Sequence, residues 1–267
     1  MAGTIAITDH GRIRVIAIDR PDRRNAVNGE TARALHAAFL EFDASEAHDV
    51  AILTGNGGGF CAGADLKALS EGDGGNPLED GGVGTLAPMG ISRLQLSKPV
   101  IAAIEGHAVA GGMELALWCD LRVMADNAVM GIFCRRFGVP LIDMGTIRLP
   151  RLIGQSRAMD LILTGRPVAA DEAFAIGLAN RLAPAGQALM VALELAKEIA
   201  AFPQTCMRND RQSVLDQWSL DTEAAIRHET VLGMKTISSG ETVSGATRFA
   251  TGQGRHGSFN NVQKDGQ

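Results

Sequence analysis

The stretch VAILTGNGGGFCAGADLKAL (50–69) and its later counterpart KPVIAAIEGHAVAGGMELALWCD (98–120) decide the fold. Each opens with a short run rich in Val, Ile, Leu and Ala that is too continuous for a half-exposed strand, so each reads as a strand buried on both faces. Each run breaks at a glycine-bearing turn and continues into a segment with helical spacing, ADLKAL (64–69) and GGMELALWCD (111–120). A repeated strand–turn–helix order is the pattern of an α/β protein with parallel strands. It also has a chemical consequence. The first turn of a helix leaves backbone N–H groups unpaired, and the helix dipole makes that end favourable for negative charge. Two such turns aimed at one point would bind a single oxygen on which charge develops. Either turn alone reads first as an ordinary strand–helix connection, and the pair reads equally well as that or as an oxyanion site.

Working outward, TIAIT (4–8) and RIRVIAID (12–19) flank Asp9-His10-Gly11 and read as a hairpin. RPDRRNAVN (20–28) is a polar connection ending at Asn28, a suitable N-cap, after which Leu35, Ala38, Phe39 and Phe42 recur on one helical face. Residues 70–90 are glycine-rich and read as a mobile loop, either a plain insert or a lid and acyl-chain wall. LRVMA (121–125) is a further strand. Helical patterns return at 155–163 and 171–176, and from about 186 the chain reads as almost wholly helical, broken at Pro203, with helices over 205–217 and 219–238. The division expected is an α/β core over 1–200 and a helical region with a polar tail over 201–267.

Composition narrows the function. Hydrophobic residues make up 46% and charged residues 21%, which suits a packed globular protein rather than a disordered one. The net charge of −5 provides no global field for nucleic acid, so an anionic ligand would need a local site. The four cysteines form no CxxC, and no zinc-ligand spacing appears. The longest apolar candidate, 99–118, is interrupted by Glu105, His107 and Glu114, so no membrane span is expected; with no apolar signal core near the first residues, a cytoplasmic setting is. GGGFCA (57–62) fits a dinucleotide-binding pattern, but the acidic residue required about 20 positions on falls at Glu79 and Asp80, inside the glycine-rich loop. GxSxG, Walker A and HExxH motifs are absent.

RPDRRNAVN (20–28), LTGNGGGFCAGADLKAL (53–69), KPVIAAIEGHAVAGGMELALWCD (98–120), GTIRLPRLIG (145–154) and LTGRPVAADEAFAIGLANRL (163–182) together resemble, in order, the crotonase (enoyl-CoA hydratase/isomerase) superfamily. The resemblance spans roughly residues 10–182. It implies repeated ββα units, C-terminal helices that drive homotrimer or homohexamer assembly, an acyl-CoA substrate, and no cofactor or metal beyond the coenzyme A of that substrate. It implies that the N–H groups of Ala64 and Gly111 hold the thioester oxygen of an enolate, with glycine at 111 sparing the thioester from a side chain. Glu114 matches the first of the two hydratase glutamates. Its place in a first helical turn, three residues after Gly111, independently suits a carboxylate facing the same site.

The second family glutamate is replaced, in an ungapped alignment, by Cys134, a poor substitute proton carrier. Asp143 is the candidate second carboxylate. Arg24 and Lys67 fall where relatives contact CoA phosphates, and Ala62 where a backbone carbonyl meets the adenine. Asp65, Leu66 and Cys134 join the substrate-binding set, with Phe249 as a pantetheine or neighbouring-subunit contact. Arg135 and Arg136 are candidates for CoA phosphates or for an acidic group on the substrate, and His107 reads as a core histidine. The activity expected is syn addition of water to a 2-enoyl-CoA. The alternatives are an isomerase or other reaction using one carboxylate, a thioester hydrolase or decarboxylase on the same oxyanion site, or a non-catalytic CoA-ester binding protein.

Overall fold

The computed structural model describes residues 3–72, 75–78 and 80–254, which fall into two compact units, 1–196 and 197–267. In the first unit the opening hairpin is β1 (Ile5–His10) and β2 (Ile13–Ile18), turned at Gly11 with φ +60°. Then come α1 (Gly29–Ala44), β3 (Val50–Gly55), α2 (Leu66–Glu71), β4 (Val100–Ile104), β5 (His107–Val109), α3 (Gly111–Trp118), β6 (Leu121–Ala125) and β7 (Val129–Gly131). The unit continues with α4 (Gly145–Ile153), α5 (Gln155–Thr164), β8 (Pro167–Ala169), α6 (Ala170–Ala175), β9 (Arg181–Ala183) and most of α7 (Ala188–Ala200).

Six strands form one sheet in the order β1-β2-β3-β4-β6-β9, antiparallel only between β1 and β2. Every residue of β2 and β4 is buried, which explains why these strands read as continuous apolar runs rather than alternating ones. A second sheet, β5-β7-β8, stacks three very short strands. Asn28 caps α1 by accepting from the Thr31 N–H at 3.0 Å, and Leu35, Ala38, Phe39 and Phe42 are buried on one face, as their spacing requires.

Two expectations need correcting. The stretch 70–90 is irregular beyond the end of α2, as expected, but it is not free of the core throughout: Ala87 and Met89 are buried, and Gly90, at φ +88°, lies so close to α1 that a Cβ there would sit 2.4 Å from the Ala32 carbonyl. Apolar burial turns the end of this segment into a wall of the core. His107 is not a core histidine; its main chain is in β5 but its side chain is exposed. Of the acidic pair weighed against dinucleotide binding, Glu79 lies outside the described residues, and Asp80 lies in irregular chain.

The second unit contains the end of α7, α8 (Gln204–Asp216), α9 (Thr222–Ser238) and α10 (Glu241–Ala250). Glu241 caps α8 by accepting from the Thr205 and Cys206 N–H groups, and Asn209 ties α8 to Thr236 of α9 at 2.9 Å. Of the polar tail expected after 250, residues 255–267 lie outside the described ones. No described helix is long and apolar enough to cross a membrane.

Candidate active site

The two elbows meet. Cys61, beyond the end of β3, pairs with Ala108 of β5: its N–H donates to His107 O at 2.9 Å and its carbonyl accepts from Val109 N–H at 3.0 Å. On the other side, Val27 N–H donates to Gly63 O and Asp65 N–H donates to Val27 O. Ala64, between them, has an N–H that donates to no acceptor among the described residues. Gly63, at φ +97°, leaves no room for a side chain, since a Cβ there would lie 3.0 Å from the Gly111 nitrogen. Gly111 is the first residue of α3, and its N–H also donates to nothing among the described residues. Ala110, just before it, is held at φ 54° and ψ −126°, a strained conformation for alanine of the kind that accumulates at functional sites. Thus the geometry brings together the two amides that the sequence singled out. The reason for glycine at 111 differs from the one expected: a Cβ there would sit 2.6 Å from the Met89 sulfur, so a protein neighbour already fills that space.

Glu114, in the first turn of α3, is 3% exposed. Its Oε1 accepts from the Gly145 N–H at 2.9 Å and the Asp143 N–H at 3.1 Å, while its Oε2 accepts from no described donor. Gly145 is required by this contact, because a Cβ there would lie 2.7 Å from Oε1. Burial pushes the Glu114 carboxyl up to about 8, the neighbouring Asp143 charge adds to the rise, and the two N–H donors and Arg148 oppose it. Asp143 is itself buried. Its Oδ1 accepts from the Met89 N–H at 2.9 Å and from the Ser92 hydroxyl. Burial raises its carboxyl above the usual aspartate range, against the pull of Ser92, Met89, Arg93 and Arg148. Two carboxyl groups that destabilise each other's charge titrate as a pair.

Sequence reading did not identify Ser92, Met89 or Arg148. Arg148, half-buried on α4, donates through Nη2 to Ser92 O at 2.7 Å, and burial lowers its guanidinium to about 10. The only signal for it was a cation inside the quoted block GTIRLPRLIG; nothing pointed to Ser92.

A cavity of about 660 Å³ is lined by Ala64, Gly111, Glu114, Cys134 and Asp143 together, and by Arg24, Ala62 and Leu66. Cys134 is buried in the 3-10 turn Phe133–Phe137, and burial, then the Glu114 charge, raises its thiol, so it stays protonated near neutral pH. A second cavity of about 510 Å³ shares Arg24, Ala62, Val109, Phe133 and Arg136 with the first, and includes Gly57, Gly58, Gly59 and His107. The Arg136 guanidinium stacks over the Phe133 ring at 4.8 Å and the Phe137 ring at 5.5 Å.

Four expected residues lie elsewhere. The Asp65 carboxylate is occupied in capping α2 through the Ala68 N–H and in pairing with Arg20 at 3.0 Å, so it lines neither cavity. Lys67 is exposed and faces Glu71 at 3.9 Å. Arg135 turns away to the Ile162 carbonyl at 2.9 Å. Phe249 is exposed on α10 in the second unit. Among the described residues no group of three or more His, Cys, Asp and Glu side chains is placed to hold a metal ion.

Residues 8–256 match the model of the enoyl-CoA hydratase/isomerase family. Over 244 residues the chain is 36% identical to an enoyl-CoA hydratase, EchA19, of Mycobacterium tuberculosis, covering 90% of this chain and 91% of that protein. It is 38% identical over 202 residues to a carnitinyl-CoA dehydratase of Proteus mirabilis, covering 75% of this chain and 76% of the relative. A crystal structure of the enoyl-CoA hydratase EchA1 from Mycobacterium marinum superposes with a TM-score of 0.87 at 34% identity, covering 94% of this chain and 96% of that one.

Proposed function

The chain belongs to the enoyl-CoA hydratase/isomerase family, and from that premise we propose that it hydrates 2-enoyl-CoA thioesters, using Glu114 and Asp143 as its acid and base. The observation that carries this reading is the meeting of two unpartnered amides, Ala64 and Gly111, beside two buried carboxyl groups in one cavity. The thioester oxygen sits between the amides. As water adds to the β-carbon, negative charge moves onto that oxygen, and each donor stabilises it by about 2.7–4 kcal/mol in the transition state.

Water addition needs one ionised group to take a proton from water and one protonated group to deliver a proton to the α-carbon. The carboxyl pair supplies one of each near neutral pH. The proton rests on Glu114, whose carboxyl burial lifts to about 8, and the charge is assigned to Asp143, whose Oδ1 accepts the Met89 N–H and the Ser92 hydroxyl. Cys134 keeps its proton and lines the wall without acting as acid or base. Arg24 and Arg136, shared by the two cavities, face the phosphates of the CoA moiety. The chain assembles into a homo-oligomer, a reading supported by Trp218, Ile226, Val231, Met234, Val243 and Phe249 of the second unit, each more than half exposed.

Incubation with a panel of 2-enoyl-CoA thioesters followed by mass spectrometry tests the reaction. A gain of one water is expected. An unchanged mass with a migrated double bond would replace the hydratase reading with a one-carboxylate isomerase. Thioester binding without any conversion would overturn catalysis itself.

A further inference from the structure

Resting on that reading, we infer that the acyl group this site accepts is a medium- or long-chain hydrocarbon without charged or strongly polar substituents. The larger cavity has three regions. One contains the reacting groups, Ala64, Gly111, Glu114 and Asp143; another is the end with Arg24 and Arg136, shared with the second cavity. Most of the remaining lining is apolar, with Leu66 and Leu69 of α2, Leu78 after it, and Phe137, Val139 and Ile142 of the later segment. None of these six carries a polar group. Asn76, the polar side chain beside them, has its amide N–H₂ committed to the Val27 and Pro88 carbonyls at 3.0 and 2.8 Å.

These side chains are also open to water: Leu78 is 72%, Phe137 65% and Leu69 55% accessible. A continuous apolar surface left open to water marks a binding site. Here it lines the same cavity as the carboxyl pair, so the group that covers it is the acyl chain attached to the thioester carbon. A four-carbon acyl group engages only the reacting region. Each further methylene that reaches the apolar lining leaves water and gains binding, which corresponds to up to about fourfold per methylene.

The test uses saturated acyl-CoAs, whose binding to the full-length protein is measured by titration calorimetry without turnover, across butanoyl, hexanoyl, octanoyl and dodecanoyl thioesters. Affinity is expected to climb with length, and the dodecanoyl-to-butanoyl affinity ratio is expected to collapse in a Leu78→Ser/Phe137→Ser variant. The same panel as 2-enoyl thioesters should show kcat/KM following the binding trend. An affinity that is flat or falls beyond butanoyl would overturn the inference. So would a length dependence undiminished in the double variant, which would mean that another surface, or a second copy of the chain, covers the acyl group. Length-dependent binding with no hydration of any enoyl thioester would refute the proposed reaction and leave this inference standing.

Discussion

Replacing Glu114 with glutamine separates what this carboxyl does for catalysis from what it does to stability. Glutamine keeps an oxygen to accept the N–H groups of Asp143 and Gly145 and keeps the volume, but it cannot ionise. In the parent chain burial lifts the carboxyl from 4.5 to about 8. The folded state therefore holds a proton that the unfolded state has released throughout that window. Where the folded state binds more protons, stability declines as pH rises. At about 1.36 kcal/mol for each pH unit, the decline amounts to roughly 5 kcal/mol between the two values. Asp143 shares the proton, so this figure is a ceiling. Glu114→Gln escapes the decline. Its stability relative to the parent is expected to be close to zero near pH 4.5 and to grow to several kcal/mol by about pH 9. Guanidinium unfolding of both chains across this range measures the difference, and titrations elsewhere in the molecule cancel in it. Hydration should fall in the same variant by about 10²–10⁴ in kcat/KM. Parallel stability curves for the two chains would refute the claim that this carboxyl is lifted by burial, and undiminished hydration would remove it from the mechanism.

The alkaline limb of the parent kcat/KM profile is expected to descend near pH 8, where Glu114 loses the proton it must deliver; activity rising through that pH would instead assign it as the base of a one-carboxylate isomerase. Gly111→Ala forces a Cβ against the Met89 sulfur and should destabilise the fold by about 1–3 kcal/mol while displacing an oxyanion donor, with Met89→Ala restoring part of the thermal stability. Asp65→Ala removes the α2 cap and the partner of Arg20, and thermal unfolding should report a loss of about 1–2 kcal/mol. Cys134→Ala should change kcat/KM for hydration by less than about tenfold, since general acid–base partners contribute far more; a larger loss would place the thiol in the proton transfer.

What could be read from the residues was local in origin. The elbows at 55–64 and 104–111 were legible because each is a strand, a glycine turn and a helix start contained in one short stretch; the Gly111 amide follows from where α3 begins, whereas Ala64 precedes the Asp65 cap of α2 and owes its open amide to the bridge with Val27. The three-residue strands β7, β8 and β9 are shorter than any period a sequence can display. The burial of Ala87 and Met89 was hidden because the surrounding glycines speak for a loop, whereas the packing of Gly90 on Ala32 is set by tertiary contact. Asp143 could be nominated only by alignment. Its proximity to Glu114 arises from a hydrogen bond spanning 29 residues, and its own orientation depends on Ser92 and Met89 more than 50 residues earlier. Conversely, Asp65 and Lys67 were nominated by position along a motif, but on a helix start of this geometry the first side chain turns back as a cap and the second faces solvent.

The arrangement of charges around Glu114 explains why such a site can exist inside a folded protein. An isolated buried carboxylate is strongly unfavourable, and two adjacent ones are more so. Arg148 is the half-buried cation whose field reaches both, and it is attached through Ser92 O to the same wall that orients Asp143. Arg93 adds its field at Asp143, so the cations favour keeping one of the pair ionised while burial favours a proton on the other. That composition is also the one hydration requires, because it leaves one acid and one base facing the same cavity. The same fields and burial that make the pair tolerable within the fold therefore favour the protonation state that catalysis needs. Arg148→Met should disturb both together: with its charge removed, both carboxyl groups hold their protons to higher pH, so the acid limb of kcat/KM should move to higher pH and activity near neutrality should fall. A variant that lost activity with its pH profile unmoved would show that Arg148 merely props up the wall.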